Sequence, residues 1–268
     1  MEKFRSRDNT QIAFDVTGEG PALIIIDGAL ACRSQGNSQE LIDLLAADFA
    51  VYGFDRRGTG QSGDSRSYSV VKEVGDIAKL IEIAGGQAFL YGHSSGAILA
   101  LEAALKLGPK VPRLVVYEPP LNDDEDARAN WAAYRKDLET LSASRNPDAI
   151  LVRFMRATGM SEEAIETSKA TPQWATLRKM SKSLTYNAEL FGSDGSIPLE
   201  RYSQVEARSL FLGGEESWEY MCDTATKLAQ ALPGALAECI PGEAHNPRAS
   251  VLAPIIREFL LESVSILD

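Results

Sequence analysis

Gly92, His93, Ser94, Ser95 and Gly96 spell G-x-S-x-G at the end of a short apolar run, and a strong helix former, Ile98 to Leu105, follows at once. Strand, sharp turn and helix in that order thrust the middle side chain outward on a strained backbone. Glycines are needed two positions to either side because a Cβ there would collide with the strand or the helix. Ser94 is therefore the candidate nucleophile. A serine hydroxyl attacks poorly at neutral pH unless a neutral imidazole within hydrogen-bond reach takes its proton and later returns it to the leaving group. The chain has two histidines. His93 adjoins Ser94, where neighbouring side chains point apart, and reads as a packed imidazole that satisfies a loop. His245 lies in Pro241 to Asn246, the exit loop of the last expected strand, from which an imidazole can reach the serine from the opposite side.

These residues need a scaffold, and the apolar pattern supplies one. Phe4 to Val16 reads as two short antiparallel strands about Asp8 and Asn9, with Ile12, Phe14 and Val16 facing inward. Ala22 to Ile26, Val51 to Phe54, the run before Gly92, Arg113 to Tyr117, Ser209 to Leu212 and Leu236 to Ile240 are further strands, several apolar enough to be buried on both faces. Helices are expected over Ser38 to Phe49, Val70 to Ala84, Tyr220 to Ala231 and Val251 to Ser263, in addition to the one after Ser94. Alternation of this kind predicts an α/β fold: a mostly parallel sheet with right-handed crossovers, helices on both faces, and ligands at the carboxyl ends of the strands. From Leu121 to Pro198 the pattern turns charged and helical. That stretch reads as an inserted cap, so the expected division is a core of residues 1–120 and 199–268 and a cap of 121–198. Trp131, Tyr134, Phe154, Met155, Trp174 and Tyr186 belong to it; most should form the cap's own core and a few should line a pocket.

A formal charge of −11, from 27 basic and 38 acidic side chains, with no basic cluster beyond Arg56 and Arg57, argues against a nucleic-acid partner. The first residues lack the apolar core of a signal peptide and no run approaches the length of a membrane span, so the expectation is a cytoplasmic protein that acts on a small molecule. Cys32, Cys222 and Cys239, odd in number and widely spaced, read as free thiols rather than a disulfide framework or a zinc site. No metal and no cofactor are implied, and the oligomeric state is not legible.

In their combined order, Asp27-Gly28 after the third strand, Asp55 to Ser62 after the fourth, the Gly92–Gly96 turn and Gly242 to His245 near the end make the chain resemble an α/β-hydrolase over nearly its whole length. The resemblance implies a serine nucleophile, a histidine base, an orienting acid and an oxyanion hole. The hole would be built from the backbone N–H of Ser95 and one from the loop after the third strand, Gly28 or Ala29. Two features depart from the family pattern. Asp27 stands where a histidine is usual and reads as a structural hydrogen-bonding group. The acid has two candidate places: most members carry it after the strand that follows the cap, here Glu215 or Glu216, and others at the end of the strand before the cap, here Glu118. Glu118 is preferred, since a carboxylate at the end of an apolar strand is costly to bury unpaired and the imidazolium would be its partner. Pro119 and Pro120 would stop the strand there. Glu215 and Glu216 read equally well as a solvated loop, and Asp55 and Arg56 as turn-stabilising groups. At motif level the arrangement also resembles the zearalenone lactonases, with their Ser-Ser-Gly turn and a glutamate acid in a comparable Glu-x-Pro.

The expected activity is hydrolysis of a carboxylic ester or lactone through an acyl-enzyme on Ser94, without a cofactor. A serine at this turn disfavours epoxide opening or halide displacement, which use aspartate there. The competing readings are carbon–carbon cleavage or cyclisation on the same scaffold, and a receptor that reuses the fold to bind a small molecule.

Overall fold

Ala22–Ile26 forms a strand, β3, whose last four residues are buried. A strand enclosed in this way needs partners on both edges, and β3 pairs in parallel with β4 (Ala50–Phe54) on one side and β5 (Phe89–His93) on the other. Parallel pairing continues through β6 (Arg113–Tyr117), β7 (Arg208–Gly214) and β8 (Leu236–Ile240). At the other edge β2 (Gln11–Thr17) runs antiparallel to β4, and β1 (Glu2–Arg5) antiparallel to β2. The eight-stranded order is β1-β2-β4-β3-β5-β6-β7-β8. This computed structural model describes residues 1–34 and 38–262. The expected end of the terminal helix, Ser263, lies outside the described residues.

Alternate residues of the buried strands feed two separate cores. Leu23, Ile25, Tyr91, Val115 and Leu212 pack against α1 (Ser38–Leu45) and the terminal helix α11 (Ala249–Leu261). Ile24, Ile26, Leu90, Val116 and Phe211 pack against α2 (Val70–Ile83), α3 (Ser95–Leu107) and α10 (Tyr220–Ala231). The period of two puts neighbouring residues on opposite faces, so the sheet is covered by helices on both sides. The expected α1 stops at Leu45 rather than Phe49, yet Phe49 is still buried beneath the turn that follows. Val16, expected inward, is 40% exposed, because the pairing with β1 reaches no further along β2 than Phe14.

Between β6 and β7 the described residues form α4 (Glu125–Ala143), α5 (Pro147–Ala157), α6 (Glu162–Lys169), α7 (Gln173–Met180), α8 (Ser183–Leu190) and the short α9 (Leu199–Tyr202). Asp124, Asn146 and Ser161 accept hydrogen bonds from the N–H groups of Ala127, Ala149 and Ala164, which starts the first three of these helices. The insert has its own apolar cluster, with Tyr134, Leu138, Leu151, Ile165 and Trp174 at its centre.

The cysteines require a correction. Cys222 and Cys239 are joined in a disulfide, and only Cys32 is free. Wide spacing in sequence misled the free-thiol reading: β8 lies beside β7, the start of α10 packs over Gly213 of β7, and the two Cα atoms come within 5.4 Å. Cysteine usage consequently gives no support to a reducing compartment. No helix among the described residues is long and apolar enough to cross a membrane.

Candidate active site

The parallel strands end nearly level, since Ile26 faces Gly92, His93 faces Tyr117 and Tyr117 faces Leu212 across their ladders. The residues that follow therefore emerge along one rim: Asp27 after β3, Ser94 after β5 and Glu118 after β6. Strand order reverses where β4 and β5 leave the two sides of β3, and this is the position at which α/β sheets open a crevice.

Ser94 sits between β5 and α3 with φ 55° and ψ −122°, a conformation that a side-chain-bearing residue adopts only under strain. Its backbone N–H donates to the Tyr117 carbonyl at 2.9 Å, which pins the turn to the neighbouring strand. A Cβ at Gly96 would run into the Ile26 carbonyl and one at Gly92 into the Gly96 carbonyl, so the flanking glycines are sterically required. Glu118 also has positive φ, 48°, and is wholly buried. Both residues thus leave their strands with a positive φ, a conformation that is strained for a residue with a side chain.

His245 joins them. Its Nδ1 lies 2.5 Å from Glu118 Oε2, and its Nε2 lies 3.1 Å from Ser94 Oγ. Glu118 is oriented by two further donors, the Gly214 N–H to Oε1 and the Ser217 hydroxyl to Oε2, each at 2.8 Å. The His245 loop is fixed from below by the Tyr117 hydroxyl, which donates to the Ala244 carbonyl at 2.6 Å. Buried Glu243 holds it from the side by accepting from the Arg248 backbone N–H at 2.7 Å. This geometry can carry a proton from hydroxyl to imidazole while a carboxylate faces the other ring nitrogen.

His93 does what its position suggested. Its Nε2–H donates to the His245 carbonyl at 2.7 Å, and burial, reinforced by the neighbouring His245 ring, lowers its pKa from 6.5 to about 4. Glu215 and Glu216 are exposed; their backbone N–H groups donate to the Ile240 and Glu243 carbonyls, and their carboxylates do not meet His245. Asp27 accepts from the Ser38 hydroxyl, as a structural group would, and burial raises its pKa. Asp55 caps its turn by accepting from the N–H groups of Gln61 and Arg33, both at 2.8 Å. Gly28 packs so closely on the nucleophile that a Cβ added to it would stand 3.0 Å from Ser94 Cβ. Among the described residues, none accepts a hydrogen bond from the N–H of Gly28, Ala29 or Ser95.

A cleft of about 920 Å³ opens over Ser94 and His245, between the strand ends and the insert. Trp131, Tyr134, Phe154 and Phe191 of the insert side line it, together with Trp218 from the β7–α10 loop and Tyr220 at the start of α10. Of the other large insert side chains, Met155 and Trp174 are buried in its own core instead, and Tyr186 stacks on Tyr68 with ring centroids 4.2 Å apart. Sequence reasoning missed Ser217 and Trp218, whose ring stands edge-on to His245 at 4.8 Å. Both lie in the loop singled out for its glutamates, and a polar-aromatic pair beside a candidate acid was the available signal.

Two solved structures and one sequence relative illustrate what the chain is similar to. An alpha/beta hydrolase from Sphaerobacter thermophilus is 31% identical, with TM-score 0.84, over 97% of this chain and 100% of that one. The enol-lactonase from Burkholderia xenovorans shares the fold at TM-score 0.71 and 16% identity, over 97% of this chain and 100% of that one. Proline iminopeptidase PfmaB from Pestalotiopsis fici is 28% identical over 124 residues, and the match spans only 43% of either chain. The model of the family described as "Alpha/beta hydrolase family" matches residues 34–254, most of the chain and every strand from β4 to β8. With that match and the Sphaerobacter likeness over its whole length, the chain belongs to the alpha/beta hydrolase family.

Proposed function

We propose that the protein is a serine hydrolase of carboxylic esters or lactones, with Ser94 as nucleophile, His245 as general base and Glu118 as the acid that orients it. The observation that carries this reading is the unbroken line from Glu118 Oε2 through both ring nitrogens of His245 to Ser94 Oγ, at 2.5 and 3.1 Å. Ser94 Oγ attacks the carbonyl carbon as its proton passes to His245 Nε2. The tetrahedral oxyanion is received by the N–H of Ser95 and that of Gly28 or Ala29. Collapse expels the alcohol, which takes the proton from His245, and leaves an acyl-enzyme on Ser94. Water then loses a proton to His245 and attacks the acyl carbon; the acid leaves and the proton returns to Ser94. In a lactone the expelled alcohol stays tethered to the acyl group, and the product is a hydroxy acid.

Residues 121–198 serve in this reading as a cap over a core of 1–120 and 199–268. The cleft's volume and its aromatic walls suit a bulky, largely apolar substrate. A lactone is the narrower reading, supported by the Glu118-Pro119 placement that resembles the zearalenone lactonases. A fluorophosphonate probe tests the core of it. Labelling at Ser94, abolished in Ser94→Ala together with cleavage of p-nitrophenyl esters, is the expected result; ester cleavage that survives the substitution sinks the acyl-enzyme.

A further inference from the structure

Arg56 occupies a position that turn stabilisation does not explain. It is buried, and its guanidinium holds Glu73 in a two-pronged pair, Nε to Oε1 at 2.9 Å and Nη2 to Oε2 at 2.8 Å. Tyr68 donates its hydroxyl to Glu73 Oε2 at 2.6 Å, so both carboxylate oxygens are engaged and the pair is held in one orientation. The third nitrogen, Nη1, is thereby aimed the other way. It donates to Ser95 Oγ at 3.0 Å and approaches the Asp27 carbonyl oxygen at 3.5 Å. Those two residues belong to the two segments whose N–H groups have no acceptor among the described residues, Ser95 itself and the loop Asp27-Gly28-Ala29. Gly28, Ala29, Arg56, Arg57 and Glu73 are among the residues that line a shared void of only about 10 Å³.

We propose that Arg56 is a positioning residue of the oxyanion hole, a buried brace that fixes the spacing between the Ser95 N–H and the N–H groups of Gly28 and Ala29. The inference rests on the serine-hydrolase reading above. Glu73 neutralises most of the guanidinium charge at close range, so the contribution is geometric rather than long-range attraction. Donors in such a hole act only when aimed at where the oxyanion will stand, and one misplaced donor is felt in turnover before binding. A lysine at 56 would keep the charge, but a single ammonium cannot grip both Glu73 oxygens in a fixed plane and reach Ser95 as well. Arg57 provides the internal contrast. Equally buried and one residue away, it binds Asp76, Asp8, Ser6 and Thr10 and, among the described residues, hydrogen-bonds to neither segment.

The test measures the rate at which a fluorophosphonate labels Ser94, and kcat and KM on p-nitrophenyl butyrate, in the full chain carrying Ser95→Ala, Arg56→Lys, both, or Arg57→Lys. Removing a whole oxyanion donor costs on the order of 10²–10³ in turnover, so disordering one is expected to cost roughly 10- to 100-fold. Ser95→Ala and Arg56→Lys should each lower the labelling rate and kcat by that factor with KM within about threefold. The double variant should lose no more than the worse single, because both changes remove one shared hydrogen bond. Arg57→Lys should lower the thermal unfolding midpoint and leave the labelling rate unchanged. A wild-type labelling rate in Ser95→Ala, or losses that multiply in the double variant, overturns the proposal. Should Arg56→Lys fail to fold, Ser95→Ala decides alone. A wild-type protein that is never labelled refutes the serine-hydrolase reading instead, and is told apart because no variant is involved.

Discussion

The rim of the sheet and the helical insert face each other across one cleft but are held together by different physics. Behind the rim the ion pairs are buried: Arg56 with Glu73 and Arg57 with Asp76 have side chains at most 7% exposed. Breaking such a pair leaves a charge without water or partner and typically costs about 3–5 kcal/mol. In the insert, Arg156 with Glu162 and Arg178 with Asp148 have side chains between 43% and 64% exposed. Pairs in that setting are screened by water and salt and contribute little to stability. The insert therefore depends on its own small apolar cluster, while the rim is locked by hydrogen bonds among residues at or just after β5, β6, β7 and β8. Proton transfer demands that kind of fixity, and the fitting of an apolar substrate does not.

If the division is right, substitutions on the two sides of the cleft should fail differently. Ser94→Ala should remove activity on every ester, by ~10⁴-fold or more in kcat, with the fold intact by circular dichroism. Glu118→Gln keeps the shape but can no longer stabilise an imidazolium, so kcat should drop by ~10²–10⁴ for small and large substrates alike. Across the cleft, Trp131→Ala should raise KM on bulky aromatic esters by about 10-fold, the scale of one or two kcal/mol of lost contact, and leave kcat on p-nitrophenyl acetate within about twofold. Equal losses on both substrates would erase the distinction between the regions.

Stability against pH sharpens the same comparison. His93 is kept neutral in the fold by burial, with a pKa of about 4, whereas in the unfolded chain it charges near 6.5. The unfolded state thus binds the extra proton between those values. Stability from this source is complete above pH 6.5 and is lost as pH falls to 4, by up to ~3 kcal/mol. Denaturant titrations across that window should show the decline in the wild type and a flatter profile in His93→Gln. Smallest of all, Glu215→Gln and Glu216→Gln should change kcat by less than about twofold, as exposed loop residues do; a loss rivalling Glu118→Gln would move the acid to the far side of the insert.

The sequence by itself determined the alternation that makes the sheet, because apolar runs and helix periodicity are local properties that burial only ratifies. Strands Ala22–Ile26, Arg113–Tyr117 and Leu236–Ile240 and helix Tyr220–Ala231 lie where the pattern put them. It marked Ser94 as the candidate nucleophile as well, since a turn that needs two glycines writes that need into the chain, and His245 as the candidate base by scarcity of imidazoles. Tertiary structure alone decided which carboxylate meets His245, for Glu118 and Glu216 are both plausible in one dimension and differ only in what the neighbouring strand brings near. It also decided that Cys222 and Cys239 bond, that Ser217 and Trp218 attend the site, and that Arg56 reaches across to Ser95. Each of those is a contact between segments remote in the chain, set by strand order and by where the strand ends fall level, and no local pattern encodes either.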